Sequence, residues 1–242
     1  MTPTDEPDDS APPGALCARC EKPLDLCICA AVAPVENRVA VVILRHPQEQ
    51  DRVLGTARLA VLQLSNATVR TGLSWPNLAK VTGRDSDPRR WGILYLGTAK
   101  TAEPLPPRVL TVVDKSGAPA PHQDDALAAL EGLILLDGNW QQAKALWWRN
   151  AWMLKCQRLV LQPPRPSYYG ALRREPRRDS VSTIEAAAYT LAALAHDESL
   201  VARILAPFRL LLDKARAQGA RTQRADRRRS GSHRPTRRGA RR

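Results

Sequence analysis

Between residues 38 and 213, short apolar runs alternate with amphipathic stretches. Residues 39–44 are apolar throughout, the pattern of a strand covered on both faces. Residues 52–63 place Leu54, Leu59 and Leu62 among the apolar positions of a helix. Residues 92–96 and 109–113 read as further strands, 124–131 as a short helix and 133–136 as another buried strand. A helix over 140–152, a strand over 158–161, and helices over 182–195 and from 199 to about 217 complete the series. Strands alternating with helices predict an α/β domain, a mostly parallel sheet with helices on both faces. Residues 163–178 are rich in Pro, Arg and Tyr and have neither period, so they read as a long ordered loop, the kind of segment that often carries function. No internal repeat is visible.

Charge adds a second segment to this picture. The formal net charge is +13 over 242 residues, but residues 214–242 hold 12 Lys+Arg against one acid, Asp226. An Arg-rich, apolar-poor tail cannot bury enough surface to fold alone, and it attracts polyanions. Nucleic acid is the expected partner. No apolar run approaches the length of a membrane span, and residues 1–13 carry acids and prolines instead of a leader pattern. The expected location is the cytoplasm, with no membrane partner and no obligatory protein partner evident. The organisation expected is a disordered N-terminus (1–15), a cysteine module (16–34), an α/β domain (35–213) and a disordered basic tail (214–242).

Four of the five cysteines fall close together, as Cys17, Cys20, Cys27 and Cys29, with the spacing C-x2-C-x6-C-x-C. In a reducing compartment that pattern favours a metal over disulfides, and four thiolates complete a closed, structural zinc site. Cys156 stands apart and reads as a buried apolar residue.

Chemistry gathers around Asp137-Gly138-Asn139-Trp140. The four residues lie where an apolar strand turns into a helix, and ligands of open α/β sheets bind outside the carboxyl ends of strands. The carboxylate can hold a cation or take a proton; the indole can stack on a base or attract a positive centre. Arg45-His46-Pro47-Gln48-Glu49 follows the first strand and reads either as a second loop at that edge or as a solvated turn. Gly55, placed within the predicted helix over 52–63, points to a close backbone approach. Ser182 and Glu185 form a capping box at the start of a helix, whose N-terminus also suits an anionic group. Tyr168 and Tyr169, with Arg173, Arg174, Arg177 and Arg178, combine stacking faces with charge, which suits RNA. Trp147, Trp148 and Trp152 read as core, Trp148 and Trp152 sharing a helix face.

Taken in order, Cys17 to Cys29, His46 to Glu49, Asp137 to Trp140 and Ser182 to Ala186 resemble the motifs of the DTW-domain family: C-x2-C…C-x-C, H-P-x-E, D-x-x-W and S-T-x-E-A. The resemblance covers roughly residues 16–200. It departs at Asn139, where the family has the threonine of its Asp-Thr-Trp triplet, often written D-G-T-W. The family is similar to transferases that move the 3-amino-3-carboxypropyl group of S-adenosylmethionine onto tRNA uridines, in the variable loop or the D-loop. It also looks related to knotted SPOUT-like methyltransferases, which implies a C-terminal knot. A mechanism that fits this chemistry casts Asp137 as base or cofactor anchor, with Trp140 packed on the cofactor or target base. It further implies Ser182 and Thr183 holding the cofactor carboxylate or ribose, with Glu185 orienting that turn. Two other classes fit the same residues: an S-adenosylmethionine-dependent RNA methyltransferase, and a zinc-containing RNA-binding protein without catalysis.

Overall fold

The computed structural model describes residues 15–49, 53–94, 105–173 and 180–231, with side chains to residue 219. Six strands form one sheet: β1 (Ala40–Arg45), β2 (Ala67–Thr71), β3 (Trp91–Leu94), β4 (Leu110–Val113), β5 (Gly132–Asp137) and β6 (Gln157–Leu161). Their order across the sheet is β2-β1-β5-β3-β6-β4, and every pairing is parallel except β4 with β6. The helices are α1 (Ala57–Gln63), α2 (Leu78–Thr82), α3 (Gln123–Ala128), α4 (Trp140–Arg149), α5 (Thr183–Ala195) and α6 (Ser199–Gly231).

The apolar run of β1 is divided by the pleat. Val41 and Ile43 join a core with α1, α5 and α6, whereas Ala40, Val42 and Leu44 join a second core with Leu78 and Val81 of α2 and Leu146 of α4. β5 does the same, with Leu133 and Leu135 on one side and Ile134 on the other. Helices therefore cover both faces, as expected. β5 and β3 approach closely, so that a Cβ on Gly132 would lie 2.4 Å from the Trp91 ring.

Cys20, Leu26 and Ile28 of the cysteine module are buried in the α1/α5/α6 core. The Nζ of the buried Lys22 donates to the Gly55 carbonyl at 2.6 Å, and Lys214 of α6 donates to the Cys27 carbonyl at 2.6 Å. The module is thus held on the α/β domain through the segment before α1 and through α6.

Several elements differ from the sequence expectation. β2 and α2 were not predicted: β2 is a half-exposed edge strand, and α2 is a single turn or so with two buried residues. α1 begins at Ala57, so Gly55 precedes the helix, and its carbonyl is what is approached. α4 stops at Arg149, not at 152, because Asn150 takes over. The buried Asn150 side chain donates to the carbonyls of Leu73 and Leu146 and accepts from Trp75 N and Trp152 Nε1. All four of its hydrogen-bonding positions are filled, which ties the end of α4 to the β2–α2 loop. α6 continues to Gly231, past the expected end near 217: apolar periodicity ceases there, but Ala and Arg remain good helix formers.

Candidate active site

The chain leaves β1 towards β2 through α1 on one face, and leaves β5 towards β6 through α4 on the other. β1 and β5 are neighbours, so their carboxyl ends border a topological switch point, where open α/β sheets bind ligands. Arg45 and Asp137, each the last residue of its strand, stand in register there. Arg45 Nε lies 3.2 Å from Asp137 Oδ2, with side chains 24% and 12% exposed. Thr183, the first residue of α5, donates its hydroxyl to Asp137 Oδ1 at 2.6 Å. Both carboxylate oxygens are held, and each keeps a further lone pair for a ligand.

The turn after Asp137 is shaped by Gly138, whose φ of +151° favours glycine. A Cβ there would also meet Gln142 at 2.8 Å. Asn139 then caps α4: its Oδ1 accepts from Gln142 N at 3.0 Å, and Gln142 Oε1 accepts from Asn139 N at 2.7 Å. This explains the departure from threonine, since both residues serve well at an N-cap. Trp140 follows as the first helical residue, 41% exposed. His46, one residue past Arg45, is buried, and its backbone N–H donates to the Asp137 carbonyl at 3.0 Å. The H-P-x-E loop therefore starts at the switch point, with His46 buried and Pro47 and Gln48 forming an exposed turn.

Ser182 and Glu185 form the expected capping box at the head of α5. Glu185 is fully buried and accepts from Ser167 Oγ, Tyr168 N, Ser182 N and Ser182 Oγ, at 2.6–2.8 Å. The carboxylate is the hub that fixes the loop after residue 163 onto α5. Thr56, also buried, accepts from Ile184 N at 3.3 Å, so the segment before α1 braces the same helix start. Of the three residues read at this turn, Thr183 is the one that meets Asp137.

The loop residues separate. Tyr169 is not a stacking face: it is 2% exposed, packs edge-on against Phe208 at 5.1 Å, and donates its hydroxyl to the Leu54 carbonyl at 2.7 Å. Tyr168 is half-buried, with the Arg165 guanidinium 3.9 Å from its ring centroid and Arg209 at 5.1 Å. Arg173 stands 5.4 Å from the Tyr169 ring centroid. Arg174, Arg177 and Arg178 lie outside the described residues. Trp152 and Cys156 are buried as expected, but Trp148 is 76% exposed, because α4 ends before Trp152 and the two do not share a helix face.

Sequence reading did not find the Arg45–Asp137 pair or the Thr56 brace. Each joins residues far apart in the chain. The former becomes legible once β1 and β5 are known to be parallel neighbours.

At the cysteine module the four Sγ atoms lie within 4.8 Å of one another, with Cys17–Cys29 at 3.6 Å and Cys20–Cys27 at 3.8 Å. Tetrahedral coordination at about 2.3 Å per bond separates sulfurs by about 3.8 Å, so the donor set fits a zinc ion. Backbone amides of Cys20 and Arg19 hold the Cys17 thiol down at about 6, while burial and the neighbouring thiols push Cys29 up to about 12. Among the described helices none is long and apolar enough to cross a membrane.

Comparison with known proteins bears on this site directly. The profile of the DTW domain matches residues 14–216, a span that includes the cysteine module and both sides of the switch point. A Mus musculus protein named tRNA-uridine aminocarboxypropyltransferase 2 is 29% identical over 213 residues, covering 84% of this chain and 64% of its own. The Macaca fascicularis protein of the same name is 26% identical over the same shares, and the Drosophila melanogaster one 29% over 201 residues, covering 81% and 72%. The chain thus spans somewhat less than two thirds of the mouse and macaque relatives. No solved structure matches.

Proposed function

The chain belongs to the DTW domain family, and we propose that it transfers the 3-amino-3-carboxypropyl group of S-adenosylmethionine to N3 of a tRNA uridine. The observation that carries this reading is the convergence of Arg45, Asp137 and Thr183 at the switch point of a chain similar to proteins of that name. A bond forms between N3 and the γ-carbon of the methionine moiety, the sulfur–carbon bond breaks, methylthioadenosine leaves, and the N3 proton passes to a base. The sulfonium already activates that carbon, so the protein's task is mainly to position it.

Asp137 serves either as acceptor of the N3 proton or as anchor of the ammonium group. Arg45 and Thr183 fix its orientation before either ligand arrives. Trp140 packs on the cofactor or on the target base. Thr183 and Ser182, at the head of α5, hold the carboxylate or ribose, and Glu185 keeps that turn and the 163–173 loop in place. Tyr168, Arg173, Arg174, Arg177 and Arg178, together with the basic residues 214–242, hold the tRNA. The likeness to knotted SPOUT-like enzymes belongs to the same reading. It is supported by the way the chain leaves β6, inside the sheet, and returns to set α5 against the end of β5. Reduced thiols and a tRNA substrate both favour the cytoplasm.

The test is nucleoside mass spectrometry of unmodified tRNA incubated with the protein and S-adenosylmethionine. Aminocarboxypropyl-uridine with methylthioadenosine is the expected pair of products. A methylated base with S-adenosylhomocysteine would move the chain to methyl transfer, and tRNA binding with neither product would make it a binding protein on a transferase scaffold.

In this reading Cys17, Cys20, Cys27 and Cys29 hold one structural zinc ion. Metal analysis is expected to give one zinc per chain, and a strong chelator to lower the melting temperature by roughly 10 °C, because the module shares its core with α6. Zinc is also expected to dissociate more readily as pH falls, since protons compete for the thiolates. A metal-free protein melting at the same temperature would remove zinc from the account.

A further inference from the structure

α4 turns one side to solvent. Ala143 and Leu146 face the core, and Trp140, Lys144 and Trp148 follow one another at i, i+4 and i+8 along the exposed side. Trp148 is 76% exposed, the most exposed of the large apolar side chains described, and Trp140 is 41% exposed. The exposed Trp148 indole beside a lysine, on a helix that begins three residues after Asp137, calls for an occupant with flat apolar faces and negative charge.

Charge favours the same occupant. Over residues 72–84 and 138–156 the sequence contains five Lys and Arg residues and no Asp or Glu. These two stretches supply α2, its preceding loop, α4 and the turn after it, which share one face of the sheet. Lys80, Lys144, Arg149 and Lys155 are exposed there. The nearest following acids, Asp85 and Asp87, come after α2, and Asp87 is paired with Arg89 at 3.3 Å. Asn150 locks the end of α4 to the β2–α2 loop, so the indole rides on a fixed support.

We propose that the exposed side of α4 is a stacking track that leads to Trp140: Trp148 stacks on unpaired nucleotides of the tRNA next to the target uridine, with Lys144 and Arg149 on the phosphates. The proposal rests on the tRNA reading above and adds which nucleotides are gripped and by what. Trp140 and Trp148 are about 12 Å apart along the helix axis, the length of three or four bases stacked at about 3.4 Å. The track therefore leads from Trp148 towards the turn at Asp137, and it selects for single-stranded context without reading base edges.

The test uses the full chain with zinc. Affinity for an unmodified tRNA transcript and for a fully paired RNA of equal length is measured for wild type, Trp148→Ala, Trp148→Tyr and Lys144→Ala. Trp148→Ala is expected to weaken tRNA binding roughly 5- to 150-fold. It should leave duplex affinity and the melting temperature unchanged, and Trp148→Tyr should recover most of the loss. Lys144→Ala should weaken both RNAs and reduce the salt slope by about one. Unchanged tRNA affinity in Trp148→Ala would overturn the proposal. So would an equal loss on duplex RNA, or a wild-type dimer that Trp148→Ala converts to monomer, since the indole would then serve a partner subunit. Binding is read without turnover: wild type that grips tRNA through Trp148 but makes no modified uridine sinks the transferase reading and leaves the track standing.

Discussion

Asp137→Ala is expected to lower kcat/KM for aminocarboxypropyl transfer by about 10³-fold or more, with tRNA affinity close to wild type. That factor corresponds to about 4 kcal/mol of transition-state stabilisation, within the range of removing a positioned acid–base group or a charge partner in a sheltered site. The substitution removes the acceptor from Thr183 and the anion from Arg45 at the same time. Asp137→Asn separates the two roles left open. If the carboxylate takes the N3 proton, the amide variant is as slow as the alanine variant at saturating cofactor. If it anchors the ammonium group, the KM for S-adenosylmethionine rises and kcat recovers in part. Thr183→Val, which leaves the carboxylate and its arginine, is expected to cost roughly tenfold. An Asp137→Ala enzyme within tenfold of wild type, folded and loaded with zinc, would remove the switch-point carboxylate from the mechanism.

Deleting residues 219–242 removes ten arginines and one acid. Its effect is expected to fall on binding and on salt dependence. If about half of those cations neutralise phosphates, the slope of log K against log salt flattens by roughly 4, and tRNA affinity near physiological salt falls by about 10²- to 10³-fold. kcat at saturating tRNA should hold, because Arg45, Asp137 and Thr183 all lie outside the deleted segment. An unchanged slope would mean that the tail does not touch RNA in the complex and that the α4 face and the 163–178 loop carry the binding.

Much of this arrangement was legible in the chain. Runs of uninterrupted apolar residues marked β1 and β5, because a strand buried on both faces has no polar side to display. Asp137 could be placed at a strand end from its position alone. What stayed hidden depends on neighbours brought from afar. β2 carries a half-exposed pattern and forms because β1 offers it an edge. Tyr169 looked like a stacking face because it follows Tyr168 among arginines, yet its ring is taken by Phe208 and its hydroxyl by Leu54. Trp148 looked like core because the helical period runs through Trp152. Asn150 ends that period, and nothing in its local sequence announces that both its amide nitrogen and its oxygen have distant partners. Asn139 is the reverse case: a mismatch to a motif that the geometry of one helix cap accommodates.

The clasp between the two ends of the chain sets an order of events during synthesis. Lys214 reaches back across 187 residues to the Cys27 carbonyl, and Gln218 to Asp25. The cysteine segment leaves the ribosome well before α6, which supplies part of the surface it packs on. Until α6 arrives, the four thiols lack the cover that α6 gives the module. If the four thiols hold zinc as proposed, cells short of it are expected to lose this protein during synthesis, through crosslinked nascent chains, sooner than they lose activity from molecules already folded.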